Sequence, residues 1–307
     1  MASGHCITRK ASVTVSASLL SVLAGTTARP DVALRPIGVD GHGAELHTTA
    51  GQPPAGHSII RRYNLYRTSL PDIEICCAAI ELRNSPLARW VRKQSLAVDV
   101  CTREELGVAI ANGIHPARIV LHGEALCDTE LRRAANVGVG RIIVASASQV
   151  DPLALCTEHR TQGILVRTTD PGADSYRLAA GTDDCVPFGL PFATAETDNA
   201  LRAVLGHRRL NLHGLHAEIG SQDGGFFSYP TAIGHMVAEM ARIRRDYGQV
   251  PTRLSLHRDV PLCDSRVGLE TLAAHIDDAL DDACAAMRFP RPRVLLSTGR
   301  AIPPSTT

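Results

Sequence analysis

Residues 96–122 read LAVDVCTREELGVAIANGIHPARIVLH, and this stretch decides the fold. Leu96–Val100 and Arg118–His122 are short, aliphatic, β-branched runs of the kind that form buried strands. Arg103–Asn112 between them reads as a helix. Two strands joined through a helix pair in parallel with a right-handed crossover. Working outward, the same alternation recurs. Further strands are expected at Ile73–Ile80, Arg141–Ala145, Ile164–Thr168, Leu210–Ile219, Arg253–His257 and Arg293–Ser297. Helices are expected at His57–Leu70 (stopped by Pro71), Asp128–Val137, Ser148–His159, Ala193–Leu205, Tyr229–Tyr247 and Leu269–Met287. Eight strands alternating with helices predict an α/β fold, a closed (β/α)8 barrel of the TIM type. The competing architecture, an open doubly wound sheet, wants a Gly-x-Gly-x-x-Gly turn after an early strand. The chain has none.

The domain plan follows. Residues 1–45 have no clear period, 46–302 form the barrel, and 303–307 are a tail after which no second domain is expected. The chain is 44% apolar, enough for a sizeable core, but only 4% aromatic, so Ala, Leu, Val and Ile must fill it. A formal net charge of +1, without basic runs, argues against nucleic acid or a membrane as partner. The nine scattered cysteines contain no Cys-x-x-Cys, which favours reduced thiols and a cytoplasmic protein over a disulfide framework or zinc knuckle. Ala11–Ala28 is too rich in Ser and Thr to read as an export signal.

Several motifs keep their order along the chain. They are Leu96-Ala-Val-Asp-Val-Cys-Thr-Arg-Glu-Glu-Leu106, Pro116-Ala-Arg-Ile-Val-Leu-His-Gly123, Gly138-Val-Gly-Arg-Ile-Ile-Val144, Leu165-Val-Arg167 and Phe188-Gly-Leu190. Gly214-Leu-His-Ala-Glu-Ile-Gly-Ser-Gln222 and Gly299-Arg-Ala301 complete them. Together they resemble the diaminopimelate decarboxylases, members of the pyridoxal-phosphate-dependent alanine racemase and ornithine decarboxylase superfamily (fold type III). The resemblance spans roughly residues 57–302.

The resemblance implies pyridoxal phosphate as cofactor, but the chain departs from the pattern where that cofactor is held. The first strand of the family ends in the Schiff-base lysine. Here Cys77-Ala-Ala-Ile80 stands in its place, and isoleucine forms no imine. Lys93 is expected beyond the following helix. Glu218 replaces the second histidine of the sixth-strand motif, the one that stacks on the pyridine ring. His257-Arg-Asp259 replaces the triple glycine that cradles the phosphate, although Arg258 could itself contact a phosphate. Ser297 replaces the glutamate bonded to the ring nitrogen, which weakens the electron sink. His122-Gly-Glu-Ala-Leu126 stands where the family has His-Gly-Asn-x-Lys. No counterpart of the family's C-terminal β domain is expected.

Asp99, His216, Ser221, Gly299 and Arg300 still match the family's cofactor-binding positions. The last three could leave a residual anion site, but the plainer reading is inherited scaffold. The substitutions create three His-x-acid pairs at strand ends, His122/Glu124, His216/Glu218 and His257/Asp259. Residues two apart on a strand share a face, so each pair could point at one centre. Imidazole and carboxylate suit zinc or iron, yet a hydrated polar rim without metal is the plainer reading. Cys76, Cys77 and Cys101 are nucleophile candidates without an adjacent base and read better as core. His213 reads as a satisfied, partly buried histidine, and Gly224-Gly225 as a flexible rim loop.

The expected function is a decarboxylase-like barrel without pyridoxal catalysis and with no cofactor of its own. It would act as a regulatory partner, as a homodimer or as a heterodimer with a full-length decarboxylase, because a barrel without its second domain exposes apolar surface. One alternative is an active carboxy-lyase making lysine from diaminopimelate. Another is a repurposed barrel enzyme using the His/acid rim.

Overall fold

The computed structural model describes residues 55–298, apart from 125, 157–159, 172–175, 179–184, 188, 221–225, 259–261 and 263. Ser221, the Gly224-Gly225 loop, Asp259, Gly299 and Arg300 lie outside the described residues.

Eight parallel strands close into a barrel: β1 Ile73–Ala78, β2 Ala97–Val100, β3 Ile119–His122, β4 Arg141–Val144, β5 Gln162–Thr169, β6 Leu210–Glu218, β7 Arg253–His257 and β8 Arg293–Ser297. Each pairs with its neighbours in chain order, β1 pairs with β8, and the ring is continuous. The helices are α1 Ala55–Ser69, α2 Ser85–Gln94, α3 Arg103–Ala111, α4 Asp128–Val137, α5 Val150–Ala154, α6 Ala195–Gly206, α7 Tyr229–Tyr247 and α8 Arg266–Met287. After β5, a small antiparallel pair, Tyr176–Leu178 with Cys185–Pro187, precedes Leu190–Pro191, which adds to the end of β5.

Three departures from the expected elements bear on the site. β1 stops at Ala78, and Ala79–Arg83 turns into a 3₁₀ helix pinned by buried Glu81, whose carboxylate accepts from the Tyr63 hydroxyl at 2.7 Å. Ile80 therefore sits on that turn instead of on the strand. The helix expected over Ser148–His159 shrinks to α5, whose first turn accommodates Pro152. The Gln149 side chain holds its entry, accepting from Ala145 N and donating to Gly123 O, both at 2.7 Å. Finally, α2 is a helix in its own right, capped by Asn84 Oδ1 on Leu87 N at 3.1 Å, with Pro86 in its first turn. Lys93 belongs to its last turn.

Alternation along the strands divides the core in two. One set of residues faces the helices and joins their apolar faces in a large cluster that includes Val98, Leu121, Val144, Val166, Leu256 and Leu296. The alternate set, Cys76, Ala97, Val120, Ile143, Leu165 and Leu295, forms a separate buried cluster inside the barrel. Two residues before it on β1 and β4 lie Glu74 and Arg141, and Arg253 begins β7 at the same end. Arg141 and Arg253 bind Glu74 at 2.6 and 2.7 Å, closing the N-terminal mouth. Two residues after it lie Asp99, His122, Arg167 and Ser297, the start of the upper layer.

Candidate functional site in the upper barrel layer

Catalytic groups of such barrels sit at the C-terminal ends of the strands. At that end the layer above the apolar plug is almost wholly polar. Asp99 of β2 is its hub. His122 Nε2 of β3 lies 2.9 Å from Asp99 Oδ1, His257 Nδ1 of β7 lies 2.9 Å from Oδ2, and the Ser297 hydroxyl of β8 donates to Oδ2 at 2.7 Å. Burial alone would raise the Asp99 pKa, but His122 and His257 outweigh it and hold the carboxyl well below its usual range.

Arg167 of β5 is 1% exposed and bridges two carboxylates, binding Glu124 through one terminal nitrogen and Glu218 through the other. Burial opposes the charge on Glu124, and Arg167 and His122 overcome it, so its pKa falls below the carboxylate norm. Glu124 Oε1 also lies 3.5 Å from His122 Nδ1. His216 of β6 shares a hydrogen bond with Ser255 Oγ through Nδ1 at 3.0 Å. Its ring stands edge-on to His122 with centroids 5.0 Å apart, and 6.1 Å from the His257 ring. Burial, then the positive His122 and Arg167 nearby, depress its pKa well below the ordinary histidine value.

Of the five family-matching positions, the structure therefore brings Asp99 and His216 into one layer. Of the three His-x-acid pairs, His122 and Glu124 meet at 3.5 Å, His216 and Glu218 take different partners, and Asp259 lies outside the described residues. Glu124 and Glu218 turn to Arg167, while the carboxylate that His122 and His257 share is Asp99. Arg167 stands in the Leu165-Val-Arg167 motif, which by itself assigns it no role. The available signal was an arginine two residues beyond Leu165, with inward parity on a buried strand, where a cation needs carboxylates. His213 is half-buried as expected but not satisfied, since its Nδ1 has no hydrogen-bond partner among the described residues.

The cysteines read as packing. Cys76 and Cys77 are buried, which pushes both thiols well above the ordinary value, and burial raises Cys101 to about 12. A protonated, buried thiol is a poor nucleophile. In the native protein at mildly alkaline pH, iodoacetamide should leave Cys76, Cys77 and Cys101 unmodified and alkylate them only after denaturation. Peptide mass mapping reads the result, and rapid native modification of Cys101 would refute it.

Lys10 and Lys93 are the only lysines in the sequence. Lys10 lies outside the described residues. Lys93 is exposed on α2, one turn before β2 begins, at the end of the barrel opposite Asp99. Ile80, at the family's lysine position, offers no amine.

Comparison with known proteins agrees with this architecture. The family of the pyridoxal-dependent decarboxylases, described by its pyridoxal binding domain, matches residues 56–303. The diaminopimelate decarboxylase of Actinosynnema pretiosum subsp. auranticum is 31% identical over 244 residues, 78% of this chain and 55% of the relative. That of Mycobacterium tuberculosis is 30% identical over 231 residues, 71% of this chain and 51% of the relative. The chain thus spans about half the length of the curated relatives it matches. The crystal structure of diaminopimelate decarboxylase from M. jannaschii superposes with a TM-score of 0.62 at 17% identity, covering 80% of this chain and 59% of the other. The Paramecium bursaria Chlorella virus arginine decarboxylase gives 0.60 at 16% identity, covering 80% and 62%.

Proposed function

The chain belongs to the pyridoxal-dependent decarboxylase family through the pyridoxal binding domain, and on that premise we propose that its barrel has left imine chemistry and serves as a non-catalytic partner of a full-length decarboxylase. The observation that carries this reading is the placement of amines. Ile80 occupies the 3₁₀ turn after β1, and Lys93 lies at the other end of the barrel. The upper layer supports it further. Asp99 already accepts from three groups, and Glu218, where the family has a ring-stacking histidine, is committed to Arg167. These residues do not fit a lysine-bound pyridoxal phosphate, so no catalytic step is derived through one.

Two exposed apolar side chains at the upper rim support a partner. Phe227, just before α7, is 91% exposed, and Val267, in the first turn of α8, is 73% exposed. Large apolar groups left in water at a site's mouth are common at contact surfaces. No helix among the described residues is long and apolar enough to cross a membrane.

The test mixes the purified chain with one equivalent of pyridoxal phosphate, adds borohydride and weighs the intact protein. The expected result is no visible imine absorbance and no reduced adduct. Stoichiometric trapping on Lys93 or Lys10 would overturn the proposal. Co-purification with a full-length diaminopimelate decarboxylase is expected on size exclusion, and its absence would remove the partner role. A second reading, a diaminopimelate carboxy-lyase of lysine biosynthesis, is favoured by the identity of about 30% to curated enzymes with that name. It requires the adduct and restored growth of a lysine auxotroph.

A further inference from the structure

We propose that the upper barrel layer binds one divalent first-row transition ion, zinc by preference, through Asp99, His122 and His257. This inference does not depend on the partner role. The three side chains each turn one donor atom to a common point, and those atoms lie within 4.8 Å of one another. Zinc takes imidazole nitrogen and carboxylate oxygen at about 2.0–2.1 Å, so a modest opening of the two 2.9 Å contacts to Asp99 would admit it. The donors come from β2, β3 and β7, three strands of a closed barrel, which fixes their directions better than loops would.

The surroundings are those of a metal centre. Glu124 stands 3.5 Å from His122 Nδ1, the ring nitrogen opposite the donor, and the Ser297 hydroxyl donates to Asp99 Oδ2. Carboxylates and hydroxyls in such places orient ligands and raise their basicity. The setting is acidic: Asp99, Glu124 and Glu218 are all buried in this layer, the latter two bound to Arg167. Nearby, His216 is 1% exposed and its Nε2 has no hydrogen-bond partner among the described residues. It is available to accept a hydrogen bond from a water bound to the ion. Two imidazoles with one carboxylate leave coordination positions open, the pattern of zinc hydrolytic and non-haem iron sites rather than of closed structural ones.

Glu124, Glu218 and Arg167 are not placed in the donor set, because both carboxylates are ion-paired to the Arg167 guanidinium. This separates the site from the three His-x-acid pairs suggested by the sequence.

The experiment uses the full chain, free of any histidine tag, stripped with chelator and titrated with Zn²⁺ by calorimetry and with Co²⁺ by absorption. One equivalent should bind. The cobalt form should show visible ligand-field bands without thiolate-to-metal charge transfer. His257→Ala and Asp99→Asn should each weaken zinc at least about 100-fold, while His275→Ala, on the exposed face of α8, changes nothing. Should either variant fail to fold, the wild-type imidazole NMR signals decide, since zinc should shift those of His122 and His257 but not His275. Absence of stoichiometric binding, thiolate bands in the cobalt form, or affinity unchanged in the folded variants would each overturn the site.

Discussion

Replacing Arg167 with methionine is expected to destabilise the barrel by about 3–5 kcal/mol, the cost of leaving buried charges without their partner. Methionine fills much the same space, so the loss is electrostatic and not a cavity. Glu124 and Glu218, whose side chains are each 3% exposed, would face one another across the layer with no cation between them. For a chain of this size each kcal/mol moves the melting temperature by about 2–4 °C, so a fall of roughly 6–20 °C is expected. The measurement is thermal and urea unfolding with chelator present, which keeps any bound metal from masking the charge. Adding Glu124→Gln and Glu218→Gln to Arg167→Met should restore part of the loss, since the amides carry no charge. A single variant within about 1 kcal/mol of wild type would mean that the guanidinium does not neutralise these acids.

This network also marks where the sequence stops being legible. The barrel could be read because its strands, covered on both faces, are continuous apolar runs between helices. β7 and β8 begin and end where those runs do. β1 was overdrawn because Ala79 and Ile80 continue the apolar run, while the feature that ends it, Glu81 held by Tyr63, is a contact between separate elements. Inward parity was legible too, since Asp99, His122 and Arg167 each stand two residues beyond an interior apolar residue. Partner choice was not. Asp99 and His257 are 158 residues apart and meet only because the ring brings β2 and β7 to one interior. Pairing each acid with the histidine two residues before it was reasonable along one strand. A guanidinium with two donor edges satisfies two carboxylates where a neutral imidazole satisfies one, so the acids of β6 and of the turn after β3 converge on Arg167.

The second large effect lies in the backbone that carries this layer. Gly214 of β6 is paired with Arg253 of β7, and a Cβ there would come within 1.7 Å of the Arg253 carbonyl oxygen and 2.6 Å of its carbon. Both atoms belong to the main chain, so no rotamer change relieves the clash. Gly214→Ala must therefore push β6 from β7 or break their register, at about 3 kcal/mol or more, the upper end of overpacking costs. The disturbance has two routes outward. Arg253 anchors Glu74 at the lower mouth, and His216 and Glu218 follow Gly214 on the same inward face, where a one-residue slip would turn both out of the barrel. Gly234 of α7 supplies the opposite sign. An added Cβ there meets nothing within 4 Å, and alanine in mid-helix is favoured by about 0.5–1 kcal/mol. Urea midpoints for the two alanine variants should thus move in opposite directions. A Gly214→Ala protein as stable as wild type would show that β6 and β7 do not approach as closely as this barrel requires, and the converging directions of His216 and His257 would fall with that contact.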